Sequence, residues 1–251
     1  MKASLEGKVA LVTGAGRDVG REISLALAAD GAIVALNYNS SAAEAQAVVE
    51  AIQAAGGQAR AYQANVGDYQ AVCAMVSQVV ADFGRVDILV NNAGVVIPER
   101  FVESTPEQWK RQIDVDLYGT IHTSHAVAPH MIKQKGGRII TLAGDSSRIG
   151  ENSLAIAAAA RAGGIALMKS LAKELGRANI TCNCLSLGLI ETAHSDPEFL
   201  AANRDKIVRQ YPLRRIGTPA DVAPTVAFLA SEGASWITGQ VLSINGGFCM
   251  V

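Results

Sequence analysis

Val9-Ala10-Leu11-Val12-Thr13-Gly14-Ala15-Gly16-Arg17-Asp18-Val19-Gly20 is the stretch whose reading decides the fold. It opens with a short β-rich run, turns through glycines, and continues into a helical pattern that reaches Ala29. Glycines between a strand and a helix let the backbone approach a pyrophosphate, whose charge sits at the helix N-terminus. On its own a glycine loop is a weak signal. Two further segments strengthen it: Asn91-Asn92-Ala93-Gly94 and Gly239-Gln240-Val241-Leu242-Ser243-Ile244-Asn245-Gly246-Gly247.

Outward from the loop, strand and helix patterns alternate to the end of the chain. Strands are expected at 9–13, 32–38, 58–65, 86–90, 137–142, 180–185 and 241–244. Helices are expected up to 29, up to about 55, and over 69–83, 106–133, 154–175 and 219–230. Apolar strands separated by amphipathic helices mean βαβ units, with a parallel sheet covered on both faces. No linker, repeat or low-complexity tract interrupts them. The reading is one α/β domain over 1–251, a doubly wound parallel sheet of the Rossmann type.

Composition narrows the function classes. The chain has 251 residues, 49% of them hydrophobic, and a formal net charge of −1. A near-neutral chain has no general attraction for nucleic acid or anionic lipid. Met1 to Lys8 lacks the long apolar region of a signal peptide, and no run of about 20 apolar residues suits a bilayer. The expected compartment is the cytoplasm. The four cysteines, Cys73, Cys182, Cys184 and Cys249, have no second pair at metal-ligand spacing. They read as small buried thiols in a reducing compartment, and no metal site is expected.

The glycine loop, the Asn-Asn-Ala-Gly run and the Asn-Gly-Gly ending together resemble the short-chain dehydrogenase/reductase family over essentially the whole chain. The likeness is nearest to 3-oxoacyl-carrier-protein and acetoacetyl-CoA reductases. It implies a nicotinamide cofactor held by Gly14, Gly16, Gly20, Asn65, Val66, Asn92 and Gly94. Departures from the family pattern make that site vestigial. Asp18 stands at the middle glycine of the loop, where it either faces the pyrophosphate or caps the helix. Asn65 stands where an Asp is usual, and Leu187-Gly188 replaces Pro-Gly. No acid follows the second strand in Asn37-Tyr38-Asn39-Ser40, so the preference between NAD and NADP stays open. Weak NAD(P) binding, with none bound productively, is the expectation.

The family's chemistry rests on an Asn-Ser-Tyr-Lys set, with Tyr and Lys one helical turn apart. Counting from Arg138-Ile139-Ile140-Thr141-Leu142 puts the Ser position at Gly144, the Tyr position at Ala157 and the Lys position at Arg161. The Asn position falls on Asp116. All four are changed, and no phenol stands ready to move a proton next to a carbonyl. Ser146 and Ser147 lie just downstream of Gly144. Tyr211 is the one remaining tyrosine whose segment approaches the pocket.

The expectation drawn from this is a noncatalytic subunit of a hetero-oligomeric dehydrogenase for 3-hydroxyacyl or 3-oxoacyl thioesters. By resemblance it is similar to the inactive subunit of the two-gene 2-(hydroxyphenylmethyl)succinyl-CoA dehydrogenase of anaerobic toluene breakdown. The expected partner is a catalytically active paralogue, in a tetramer formed through the helices at 106–133 and 154–175. The second of these is rich in Ala and Gly, which permit close helix approach. One alternative is a lyase or isomerase with Asp116 as base and Arg161 as oxyanion or carboxylate ligand. Against it, Asp116 and Arg161 are expected to pair and plug the empty site. Another alternative is a noncatalytic module that binds NAD(P) or acyl-CoA.

Overall fold

The computed structural model describes residues 4–251, so Met1–Ala3 of the N-terminal reading lie outside the described residues. Its strands are short and apolar. β1 (Val9–Val12), β2 (Ile33–Tyr38), β3 (Ala59–Gln63), β4 (Ile88–Asn91), β5 (Gly137–Gly144), β6 (Ile180–Leu187) and β7 (Val241–Ile244) form one sheet in the order β3-β2-β1-β4-β5-β6-β7. Every pairing is parallel, with Val9 opposite Ile33 and Ala10 opposite Ile88. The order reverses between β1 and β4. A crevice therefore opens at the carboxyl ends of these two strands, where doubly wound sheets take ligands.

Helices cover both faces, which is why the central strands carry no polar alternation. On one face, Ile23 and Leu27 of α1 (Asp18–Ala29), Val48, Val49 and Ile52 of α2 (Ala42–Ala54) and Val222 and Val226 of α9 (Pro219–Ala230) share a core with Val12, Val34 and Ile140. On the other face lie α3 (Tyr69–Phe83), α5 (Gly119–Gln134) and α7 (Ala155–Leu175). Val72, Val76, Val127, Met131, Met168 and Leu175 pack there on Leu11, Leu89 and Ile139.

The expected boundaries hold to within a residue or two at most ends, with three differences. The helix expected over 106–133 is broken: α4 (Pro106–Ile113) is followed by a π-helical turn, Asp114–Tyr118, before α5 begins. A helix over Pro197–Val208, α8, was not legible, because Leu200 is its only buried residue and no apolar stripe marks it. A four-residue helix, Ser146–Ile149 (α6), follows β5. The chain from 155 to 178 is long and apolar enough to cross a membrane by length and composition, against the expectation that no segment would be. Met168, Ala172 and Leu175 nevertheless anchor this helix in the core against Cys182 and Cys184. Burial pushes both thiols up to about 12; Cys249 is buried as expected too, whereas Cys73, also expected to be buried, is only half-buried.

Candidate functional site

The glycine loop is held by hydrogen bonds from the residues at the ends of β2 and β4. Thr13 Oγ1 accepts from the N–H groups of Asn92 and Ala93, both at 3.0 Å, and Asn92 Nδ2 donates to the carbonyls of Thr13 and Gly14 at 2.9 and 3.1 Å. Asn37, buried under the loop, accepts from Gly14 N–H at 3.4 Å and donates to the Ala64 carbonyl at 3.0 Å. Only glycine fits at position 20, since a Cβ there would lie 2.2 Å from the Gly14 carbonyl oxygen and 2.6 Å from Asn92 Nδ2. These bonds shape a cleft of about 360 Å³ lined by Gly14, Gly16, Gly20, Asn65, Val66, Asn92 and Gly94. All seven residues assigned to the cofactor from sequence therefore come together. Asn65 spends its side-chain oxygen on Gly67 N–H at 3.0 Å, closing its own turn.

Asp18 does not cap α1. The structure gives the N-cap to Arg17, without a side-chain bond. Asp18 adopts φ +50°, the left-handed region that its replacement of a glycine would demand. Its carboxylate turns to His194, with Oδ1 3.0 Å from Nδ1.

The four changed positions also converge. The π-helical turn carries Asp116 inward, as such turns often do at functional sites. Asp116 Oδ1 accepts from Val95 N–H at 2.7 Å, and Arg161 Nε donates to Oδ2 at 3.2 Å. The Asp116 side chain is 1% exposed and that of Arg161 24%. The expected pairing is thus present, but it does not plug the site. Arg161 spends only Nε on Asp116, and among the described residues neither Nη donates a hydrogen bond. Nη1 lies 3.5 Å from where a Cβ on Gly144 would be, and Ser146 Oγ lies 3.5 Å from the same point. Two donors thus flank the space over Gly144. Nη2 reaches back toward Gly94, 2.8 Å from its Cβ position. Ala157 is buried on the same helix.

Burial holds the Asp116 carboxyl above the usual carboxylate range, opposed by Arg161 and by Val95 N–H. Folding therefore favours the protonated form, and this contribution is present at low pH and lost as pH rises through the raised value. Asp116→Asn keeps an oxygen for Val95 N–H and removes the buried charge. It is expected to abolish this acid-side gain, so that its melting temperature equals or exceeds that of the parent at neutral pH and the difference shrinks on acidification. Thermal melts from pH 4 to 8 check this.

Other residues enter the site that sequence reasoning did not single out. Asp145, buried beside Gly144, accepts from Ser186 Oγ and Asn245 Nδ2, both at 2.6 Å, and so ties the ends of β5, β6 and β7 together. An Asp directly after a strand, in a loop of serines, was the available signal. Tyr211 does not reach the reacting space as a proton donor. Its hydroxyl accepts from Leu189 N–H at 2.8 Å and pins the turn after β6. Ser147 donates to the Gly144 carbonyl at 2.6 Å. No group of His, Cys, Asp and Glu suited to a metal ion occurs among the described residues.

This architecture has close counterparts. A family model described as Enoyl-(Acyl carrier protein) reductase matches residues 14–249. The chain is 42% identical to the 3-oxoacyl-[acyl-carrier-protein] reductase FabG of Staphylococcus aureus, over 97% of this chain and 98% of that one. It is 40% identical to a 3-oxoacyl-[acyl-carrier-protein] reductase of Synechocystis, over 98% and 99%. A crystal structure of a putative short-chain alcohol dehydrogenase from Sinorhizobium meliloti superposes with a TM-score of 0.93, covering 98% of this chain and 97% of that one at 28% identity. The crystal structure of gox2181 gives 0.94 over the same shares at 32% identity. The chain belongs to the short-chain dehydrogenase/reductase family.

These relatives overturn two expectations. The noncatalytic-subunit reading, with its lyase, isomerase and regulatory alternatives, gives way because full-length relatives at 40–42% identity are reductases. The expectation of no productive cofactor falls with it. The physical reason is visible in the cleft: the glycine cradle is whole. The relatives' names carry the family and not the toluene-pathway likeness.

Proposed function

We propose that this chain is an NADPH-dependent oxidoreductase acting on 3-oxoacyl thioesters. The observation that carries the reading is full-length identity of 42% to a 3-oxoacyl-[acyl-carrier-protein] reductase on a formed cofactor cleft. The cradle, which a Cβ at Gly20 would distort by striking the Gly14 carbonyl, fits a dinucleotide. Gly14, Gly16 and Gly20 would hold its pyrophosphate, with Asn92 and Gly94 at the nicotinamide end. A 2′-phosphate suits the mouth of the cleft, where Arg17 is half exposed and Asn37 to Ser41 offer no acid.

When bound, reduced nicotinamide supplies a hydride to the 3-oxo carbon. The chain's own part is to hold the carbonyl oxygen. Arg161 Nη1 and Ser146 Oγ converge over Gly144, where a fixed cation and a hydroxyl stabilise the negative charge that develops on that oxygen. A guanidinium does not release its proton near neutral pH, so the alkoxide takes its proton from water. General-acid catalysis contributes about 10²–10⁴-fold. Turnover is therefore expected to be lower by about that factor than in a relative with a tyrosine at position 157. Acetoacetyl-CoA and NADPH with the purified chain, followed at 340 nm, test this. Thioester-dependent NADPH loss that exceeds the loss with NADH supports the reading, and no loss above blank removes it.

We also propose a partner, a short-chain dehydrogenase paralogue in a hetero-oligomer, and the cytoplasm as the compartment. In support, only 28% of the most apolar window of α7 is buried within the chain. Gly164 faces inward, its Cβ position 3.8 Å from Thr141, whereas Ala159 and Ala166 point outward. Ala166→Glu should dissociate the assembly in size-exclusion chromatography and leave the melting temperature of the free chain within a degree or two. An unchanged elution volume would remove this face as the contact.

A further inference from the structure

Asp18 and His194 are 176 residues apart and meet at the edge of the cofactor cleft. Asp18 stands at the first turn of α1, in the glycine loop, and lines the cleft. His194 stands in the segment between β6 and α8, which is held to the body by Leu189 N–H on Tyr211 and by Glu191 N–H on the Gly217 carbonyl. Their 3.0 Å contact brings the segment after β6 against the glycine loop, beside the cleft that Asp18 lines. A carboxylate accepts only, so His194 Nδ1 donates. The side chains are 49% and 21% exposed, for His194 and Asp18, so solvent reaches the pair. The other charge near Asp18 is Arg17, with Nε 4.0 Å from Oδ2 and its side chain 54% exposed.

The arrangement holds an anion at the N-terminal turn of α1, under a donor from the segment after β6. A dinucleotide pyrophosphate is also an anion that seeks the N-terminus of this helix. Two anions cannot share the place without mutual repulsion. Asp18 pays a conformational cost to be there, at φ +50°.

We propose that His194 is a ligand of the cofactor pyrophosphate and that Asp18 is the intramolecular anion it exchanges. This rests on the cofactor reading above. In the free protein the Asp18 carboxylate occupies the His194 N–H. On binding, a pyrophosphate oxygen takes that N–H and Asp18 swings toward Arg17 and solvent. Asp18 thus lowers cofactor affinity by competition, while His194 raises it by contact. The two residues therefore have opposite effects on one equilibrium, which a purely structural pair would not.

The test is NADPH binding, read by nicotinamide fluorescence, for the parent, Asp18→Gly, His194→Ala and the double variant. A hydrogen bond to a charged group is worth enough to change affinity about tenfold or more. Asp18→Gly is expected to tighten NADPH about tenfold, and adding His194→Ala to Asp18→Gly to weaken it by about the same factor. Inorganic pyrophosphate should shift the His194 imidazole resonances in Asp18→Gly at a lower concentration than in the parent. Equal NADPH affinity for parent and Asp18→Gly overturns the competition. Equal affinity for Asp18→Gly and the double variant overturns His194 as a ligand. In both cases NADPH still binds and the oxidoreductase reading stands. Absence of NADPH binding by all four proteins overturns that reading together with this one.

Discussion

Arg161→Ala is expected to lower kcat for 3-oxoacyl thioester reduction by about 10²–10³-fold, the loss typical of one oxyanion donor. In this site only Ser146 Oγ remains to hold the oxygen, because the family's Ser and Tyr positions are Gly144 and Ala157. The same change should destabilise the fold. Asp116 is almost wholly buried, and Arg161 is its only charged partner among the described residues. Removing the partner of so deeply buried a carboxylate leaves its charge uncompensated and costs about 3 kcal/mol or more. The loss has a pH signature: the Asp116 carboxyl already lies above its ordinary range through burial, and without Arg161 it rises further. The variant therefore recovers stability as pH falls and the carboxyl takes up a proton. Steady-state kinetics and denaturant melts at pH 5 and 8 read both effects. Unchanged kcat would take Arg161 out of the reaction, and an unchanged melt would show that the pair contributes no net stability.

Gly20→Ala is expected to reduce NADPH affinity at least about 100-fold, beyond the usual tenfold steps of a lost contact. The added methyl would lie 2.2 Å from the Gly14 carbonyl oxygen and 2.6 Å from Asn92 Nδ2. Neither neighbour can retreat cheaply, since Gly14 sits at φ +61° and Asn92 Nδ2 is committed to the Thr13 and Gly14 carbonyls. Relieving the clash moves the loop that the pyrophosphate must meet, and overpacking of this kind costs about 1–3 kcal/mol of stability. Gly176→Ala is the control. It has open space around its Cβ position and an ordinary φ of −57°, so both readouts should stay at parental values. Calorimetry with NADPH and a thermal melt decide the matter, and parental affinity in Gly20→Ala would mean that the loop does not bind the cofactor.

The alternation of apolar runs and helical patterns determined the doubly wound sheet, because strands buried on both faces must be apolar throughout and their crossovers must be helices. The resemblance to the family, carried onto the chain by the register of its motifs, implied which residues occupy the four chemical positions and which seven line the cofactor cleft. The sequence left α8 unread, since a helix with one buried residue has no periodic stripe to find. It also left the π-helical turn unread, because Asp114 to Tyr118 has ordinary helix composition. What only the tertiary structure decided are the contacts between residues far apart in sequence. Asp18 meets His194, a residue far along the chain, at the edge of the cofactor cleft. Asp145 gathers Ser186 and Asn245. Arg161 gives Asp116 its Nε, turns Nη1 to the space over Gly144 and Nη2 toward Gly94. Such side-chain choices depend on which neighbour the folded sheet brings within hydrogen-bond distance, and no local pattern encodes that.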